Sequence, residues 1–362
     1  MDKACKSLIA AAIRAPSGDN TQPWRFVIHP DASRIAIHLD QTRDPTPMNS
    51  GQRMARLAIG AAVENIVRTA ESWGWRTQVE VPAPPAVIAV RIIDRGDRVE
   101  GLPVDPFVQR RLTNRRPYMR KPIQADIVED LRDSTVDLPG VNTVWILDED
   151  RLGRLAGLMG RSDALMLGEP SMRHGFLDNL RFDLSPNDEA EEGMSLGTLE
   201  LSRADRAAVR LLRFTPNWIF SAFGAASKFA KTARRLVESS SGLYIVAENG
   251  GTEQDEVVAG RAMQRAWLKL TEYGLAVQPM MSLAILESVL VRGSAELLRS
   301  LGKPQAEQLV REFHEIVPHL ENAHVAFIAR FGYAEPPTCG TGRLPVDANT
   351  TIAGGERDAT DL

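Results

Sequence analysis

The chain opens on an Ala-rich helical run from Ala4 to Arg14, and two strand-like runs follow at Trp24–Ile28 and Arg34–Leu39. A long helical stretch spans Gln52–Trp73, and another strand covers Val87–Ile93. Between them, Pro82-Ala83-Pro84-Pro85 reads as a rigid connector. Past Arg110 the same kinds of element return. A helix is expected over Gln124–Asp133, a strand over Thr143–Leu147, and helices from Arg151 to about Val237. Gly242–Ala247 forms a strong strand, Gln254–Tyr273 a long helix and His324–Ala329 the last clear strand. Helices interleaved with short strands predict an α+β layered fold.

The pattern repeats imperfectly. Ala62-Val63-Glu64-Asn65 leads to Trp73-Gly74, and Ala262-Met263-Gln264-Arg265 leads to Tyr273-Gly274. Gly after an amphipathic run stops a helix, because it takes the left-handed conformation cheaply. Such stops are common, but the order of elements around them also matches. The helix-to-strand loop of the second segment, Ser134 to Asn142, shares nothing with its counterpart in the first.

Composition removes several function classes. The 362 residues are 43% hydrophobic and 25% charged, which is ordinary for a globular protein. A net charge of −4 provides no general attraction for nucleic acid or anionic lipid. No apolar run reaches the roughly 18 residues of a membrane span, and the start lacks a secretory pattern. The only cysteines, Cys5 and Cys339, exclude a disulfide scaffold or a cysteine-built zinc site. These points predict a reduced, cytoplasmic protein with no nucleic-acid or membrane partner.

Three segments carry candidate chemistry. Ala15-Pro16-Ser17-Gly18-Asp19-Asn20-Thr21-Gln22-Pro23-Trp24 is dense in hydroxyl and amide groups and stiffened by proline at both ends. It suits a flat polar ring, or else a capped turn with a core Trp. Arg110-Arg111-Leu112-Thr113-Asn114-Arg115-Arg116-Pro117-Tyr118 suits phosphate, since guanidinium forks bind it with paired hydrogen bonds, or else a solvated basic loop. Gly274-Leu275-Ala276-Val277-Gln278-Pro279-Met280-Met281-Ser282 reads by itself as a helix end followed by a loop.

The first segment resembles the A-P-S-x-x-N-x-Q-P-W signature of the nitroreductase family of FMN proteins. Arg111-x-Thr113-x-Arg115, with Tyr118 and Lys121-Pro122-Ile123, is similar to that family's R-x-S-x-R opening, with Thr in place of Ser. The R-x-T-N-R-R-P-[FY] form, in one long chain with one such loop, resembles the Acg-type, or twin, nitroreductases of actinobacteria. The resemblance implies a nitroreductase-like fold of two fused halves, each a small mixed or antiparallel sheet flanked by helices. Residues 1–108 would be the first half, 109–345 the second, and 346–362 a flexible tail. It implies one FMN between the halves. Pro16, Ser17, Asn20 and Gln22 would meet the ring, with Pro279, Met280 and Met281 beside it. Arg111, Thr113, Arg115 and Arg343 would hold the phosphate. Thr341 stands where the family often has a basic residue.

The acidic, Gly-punctuated stretch 183–199 reads as a surface excursion, and the resemblance makes it a lid over the flavin. In the run from Asn217 to Leu236, Trp218, Ile219, Phe220 and Phe223 precede Lys228, Lys231, Arg234 and Arg235. A buried helix with a solvated basic end accounts for this better than a membrane-surface helix. His314-Glu315-Ile316-Val317-Pro318-His319 fails as a zinc motif, because its histidines are five apart. No metal site is expected. An FMN-dependent oxidoreductase would take hydride from NADPH or NADH and pass it to a nitro, quinone or similar small-molecule acceptor. The flavin carries that redox chemistry, so no catalytic side chain is named. A lid-closed flavin-sequestering protein, or a scaffold that has lost flavin, would also fit. The chain would act as a monomeric pseudo-dimer or a homodimer.

Overall fold

The computed structural model describes residues 1–82, 84, 86–96, 101–215 and 225–353. At its centre the helices Arg53–Ser72 and Glu253–Glu272 cross in direct backbone contact. A Cβ on Gly60 would lie 2.0 Å from the carbonyl oxygen of Val257, and one on Gly260 would lie 2.2 Å from that of Leu57. A mid-helix glycine costs about 0.5–1 kcal/mol relative to alanine. Here only hydrogen fits, and the close approach is the compensating gain. The crossing has the register that aligns Ala62 with Ala262. Polar clamps flank it: Arg261 Nε and Arg265 Nε donate to Glu64 at 3.0 and 2.5 Å, and Gln264 Nε2 donates to Asn65 Oδ1 at 2.7 Å.

The strands are β1 (Trp24–Ile28), β2 (Arg34–Leu39), β3 (Arg76–Glu80), β4 (Ala86–Asp94), β5 (Val141–Ile146), β6 (Leu180–Arg181), β7 (Met194–Ser195), β8 (Gly242–Glu248), β9 (Ala276–Pro279), β10 (His324–Gly332) and β11 (Thr350–Ile352). One sheet has the order β11-β1-β2-β4-β3 and another β5-β8-β10-β9, with β6 and β7 as a separate pair. Leaving β11 aside, each larger sheet runs first-second-fourth-third in its own chain order, with antiparallel neighbours throughout. In both, a long helix joins the second strand to the third. Gly74 and Gly274 end those helices with φ of +74° and +68°. The α+β architecture expected from the sequence is therefore present, and it is repeated.

One core spans both segments, joining Trp24, Phe26 and Ile59 with Tyr244, Trp267 and Phe327. A second lies on the other side of β8 and β10, under the helices Glu149–Gly168, Ala225–Glu238, Ser282–Arg292 and Lys303–Ile316. β8 is buried at every position, which is why its sequence is almost continuously apolar.

Two sequence expectations change. β3 and β9 each follow directly after a helix-ending glycine and lie at sheet edges, where few apolar residues announce them. Residues 346–353 are not a loose tail: Val346–Asn349 forms a turn, and β11 pairs in parallel with β1 through Phe26–Thr350 to Ile28–Ile352. The main-chain partners offered by the open edge of β1 account for that order. Ala83 and Pro85 of the proposed connector, and residues 354–362, lie outside the described residues, as do Trp218, Ile219, Phe220 and Phe223. In the helix that follows them, Lys228, Lys231, Arg234 and Arg235 are exposed while Ala233 and Val237 are buried, as a helix with a solvated basic face requires. Among the described residues no helix is long and apolar enough to cross a membrane.

Candidate functional site

A cavity of about 350 Å³ lies where the first segment's loop meets β9 and the Arg cluster. Of the predicted site residues, Pro16, Ser17, Asn20, Arg111, Thr113, Arg115, Pro279, Met280, Met281 and Arg343 all contribute to its wall. Gln22 does not. It is fully buried beside the wall, where Nε2 donates to the Glu191 carbonyl at 2.7 Å and Oε1 accepts from the Leu344 amide at 3.0 Å.

The loop leaves the helix Lys3–Ala12 and turns sharply. Asp19, Asn20 and Gln22 have φ of +45°, +61° and +53°, in the left-handed region. Each non-glycine residue there costs roughly 1–2 kcal/mol, less for Asn and Asp. The turn is closed by Ser17 Oγ, which accepts from the Gln22 amide at 3.0 Å. Asn20 Nδ2 faces the carbonyls of Glu191 and Gly193 at 3.2 and 3.1 Å, while its Oδ1 is buried without a partner. Stretch 183–199 therefore rests directly on this loop, and Met194 and Thr198 from it enter the cavity wall.

The Arg cluster is extended. Thr113 bridges Val277 in parallel, and the Asn114 amide donates to the Val277 carbonyl at 2.9 Å. Alternation along extended backbone then places Arg111, Thr113 and Arg115 toward one face. Tyr118 Oη donates to the Asn114 carbonyl at 2.7 Å and fixes the run from the other end.

The three arginines are held by neutral acceptors. Arg111 Nη2 donates to the Arg14 carbonyl at 2.9 Å, and its guanidinium lies 4.6 Å from the Trp267 ring centre. Its Nε and Nη1 are buried with no partner. Arg115 donates to the Thr198 carbonyl at 3.1 Å and to Met194 Sδ at 3.4 Å. Arg343 is more fully engaged, donating to the carbonyls of Ile13, Ala15 and Gly342 at 2.6, 3.0 and 2.7 Å and to Thr341 Oγ1 at 2.8 Å. Thr341, in the family's basic position, is thus a partner for Arg343. Burial lowers Arg111 to about 9, helped by the charges of Arg343 and Arg14. Burial lowers Arg343 to about 10. Arg111 is buried with no carboxylate acting on it, which is costly, and a dianion in the cavity would relieve that cost.

Sequence reasoning missed several wall residues. Gln278 lines the cavity, although its segment reads as a helix end and loop with no role for that side chain. Asp163 and Met166, three apart on the helix Glu149–Gly168, both line the cavity, as does Cys339. The available signal for Asp163 was a lone acid between Met159 and Met166 on an otherwise apolar helix face. Burial raises Asp163 to about 6, and the Ser282 hydroxyl beside it offsets only part of the shift. Asp19 is also raised to about 6, by burial first. Cys339 is raised as well, again chiefly by burial, which argues against a reactive thiolate. Among the described residues no cluster of His, Cys, Asp and Glu could hold a metal ion.

No family model matches the chain. It is 26% identical over 334 residues to an uncharacterized protein of Mycobacterium tuberculosis, covering 91% of this chain and 45% of that one. It is 29% identical over 172 residues to a Mycobacterium tuberculosis protein named provisionally as the NAD(P)H nitroreductase acg, covering 46% of this chain and 50% of the relative. The chain thus spans about half the length of these curated relatives. Among solved structures, a nitroreductase-like protein from Bacillus cereus aligns at 15% identity over 69% of this chain and 95% of its own, with a TM-score of 0.36. The FMN-dependent nitroreductase NfnB of Mycobacterium smegmatis, solved with NADPH, aligns at 15% identity over 71% and 96%, with a TM-score of 0.31. The chain is similar to nitroreductase-family proteins of the Acg type, as its motifs predict.

Proposed function

We propose that this relative of the Acg-type nitroreductases binds one FMN in the cavity and is an FMN-dependent oxidoreductase. The observation that carries the reading is Arg111, whose buried Nε and Nη1 have no partner although the residue lies in the cavity wall. A phosphate monoester supplies the acceptors these donors lack. Arg115 and Thr113 extend the same cradle. Arg343 contributes charge and anchors the loop, because its own donors already bond main-chain carbonyls and Thr341. When bound, FMN supplies hydride chemistry, with NADPH or NADH as donor and a nitro, quinone or similar compound as acceptor. Pro16, Ser17, Asn20, Pro279, Met280 and Met281 orient the ring, and the unpartnered Asn20 Oδ1 offers it an acceptor. Gln22 supports the loop from behind the wall. The halves are residues 1–108 and 109–345, with the site between them.

A second reading is favoured by the packing of stretch 183–199 on Asn20 and Gln22. There the stretch is a lid that keeps donor or acceptor from the flavin, and the protein stores flavin. Visible spectra of the purified protein, taken without oxygen before and after NADPH or NADH, separate the two. Prompt bleaching of bound flavin is the expected result. Flavin that bleaches only with dithionite supports storage or another donor, and no flavin after FMN reconstitution contradicts both readings.

A further inference from the structure

Away from its arginines the cavity wall carries a group of apolar side chains, Met166, Phe176, Phe229, Met281 and Ile285 among them, with the hydroxyls of Thr232 and Ser282 also in the wall. One carboxyl group, Asp163, opens into that part. We infer that Asp163 is a catalytic acid, giving its proton to the oxygen of a quinone or nitro acceptor as hydride arrives. This inference rests on the proposed function for the source of hydride.

The chemistry requires such a proton. Hydride addition to a quinone forms one bond to hydrogen and leaves an anionic oxygen. Against apolar side chains that charge is unfavourable unless a wall group neutralises it. The Asp163 O–H bond breaks, an O–H bond forms on the acceptor, and hydroquinone leaves. The resulting carboxylate regains its proton from water at the mouth, near Thr232, which is both solvent-exposed and part of the wall.

The surroundings raise the proton affinity of Asp163, so that its carboxyl titrates near 6 and a proton-bearing fraction persists toward neutrality. Its helix packs against Ala225–Glu238, Ser282–Arg292, Lys303–Ile316, Pro170–Asp178 and Ala295–Leu301, whose Glu296 and Arg299 are exposed. Ala225–Glu238 contributes Phe229, Thr232, Ala233 and Leu236 to the wall, and its Lys228, Lys231, Arg234 and Arg235 face solvent. From Ser282–Arg292 the neighbour is the Ser282 hydroxyl. On Lys303–Ile316, Glu312 pairs with Arg161, and on Pro170–Asp178, Arg173 donates to the carbonyls of Leu167 and Gly168. The carboxyl is therefore governed by burial, offset in part by one hydroxyl. The cavity's other acid, Asp19, accepts from Asn179 Nδ2 at 3.3 Å and feels Arg115, so it belongs to the cationic end.

The test compares the holoprotein with Asp163→Asn and Asp163→Glu, each reduced with dithionite and mixed with menadione or ferricyanide. General acid catalysis is worth roughly 10²–10⁴-fold. Reoxidation by menadione is expected to slow at least tenfold in Asp163→Asn and to recover in Asp163→Glu. Ferricyanide takes one electron and no proton, so its rate should not move. In wild type the menadione rate should fall as pH rises through the carboxyl's titration, and in Asp163→Asn it should be flat. Infrared difference spectra of flavin-free protein between pH 5 and 8 should contain protonated-carboxyl intensity from both Asp163 and Asp19, of which Asp163→Asn removes one component that Asp19→Asn retains. Unchanged menadione reoxidation in a folded Asp163→Asn overturns the inference, and so does a carboxylate that stays ionised at pH 5. Wild-type protein without flavin contradicts the proposed function instead, while the infrared measurement still decides whether Asp163 holds the proton.

Discussion

Arg330 fixes which way Gln278 points. The two are cross-strand partners on β10 and β9, and Arg330 Nε donates to Gln278 Oε1 at 2.8 Å. With its oxygen engaged, the amide keeps Nε2 as the end it can offer to the cavity, which Gln278 lines. Arg330 is fully buried, stacks 3.7 Å from the Tyr118 ring centre, and donates to the carbonyls of Leu236 and Arg116 at 3.0 and 2.7 Å. It thereby ties β9, β10, the Arg cluster and the helix Ala225–Glu238 together behind the site.

Removing that tie should weaken the fold and the site together. Hydrogen bonds from a charged donor are worth roughly 1.5–3 kcal/mol each, and Arg330 makes three. Arg330→Met should lower the urea midpoint clearly, while Gln278→Met, which leaves Arg330 Nε unpaired, should lower it less and weaken FMN binding. Equal stability of Arg330→Met and wild type in urea melts would show that the tie is unimportant.

The central helix crossing makes a sharper structural prediction. Gly60→Ala forces a methyl against the Val257 carbonyl, so the helices must separate, at an expected cost of about 2 kcal/mol or more. Gly153, exposed on its helix, would meet nothing within 4 Å. Gly153→Ala should stabilise by about 0.5–1 kcal/mol. Thermal melts of the two variants, compared with wild type, should move in opposite directions.

These elements show what was legible in the sequence. The long helices, their glycine stops and the strands β1, β2, β8 and β10 were readable because each has a strong period or an unbroken apolar run. Gly60 and Gly260 gave no warning, since a mid-helix glycine reveals its reason only when the partner backbone is in place. β11 was unreadable because its pairing depends on the free edge of β1, more than three hundred residues earlier in the chain. At the site, motif residues were legible as a set. Gln22 drew attention as a polar group, yet its polarity serves main-chain contacts behind the wall. Asp163 has no motif, and only the cavity gives it meaning.

The raised cavity carboxyls predict an unusual pH response. Asp163 and Asp19 bind protons more tightly folded than unfolded. Between pH about 4 and about 6 the native state therefore holds more protons than the unfolded state, and these groups make stability fall as pH rises. Asp163→Asn removes one such group. In flavin-free urea melts the variant should exceed wild type at pH 8, and the difference should vanish at pH 4. A gain of equal size at both pH values would mean that Asp163 is not titrating in this window.

Lid closure can be read by limited proteolysis. If stretch 183–199 covers bound flavin, FMN should slow cleavage there several-fold and leave cleavage elsewhere unchanged. Identical cleavage with and without FMN would count against a flavin-covering lid.

The most direct test of the account is the stoichiometry and affinity of FMN for the wild-type chain and for Arg111→Ala combined with Arg115→Ala. Each charge-assisted hydrogen bond to phosphate is worth roughly 1.5–3 kcal/mol, or about ten- to a hundredfold in affinity. The account predicts one FMN per chain in wild type and at least a hundredfold weaker binding in the double variant, with His314→Ala unaffected. Two flavins per chain, or equal retention after both arginines are removed, would contradict it.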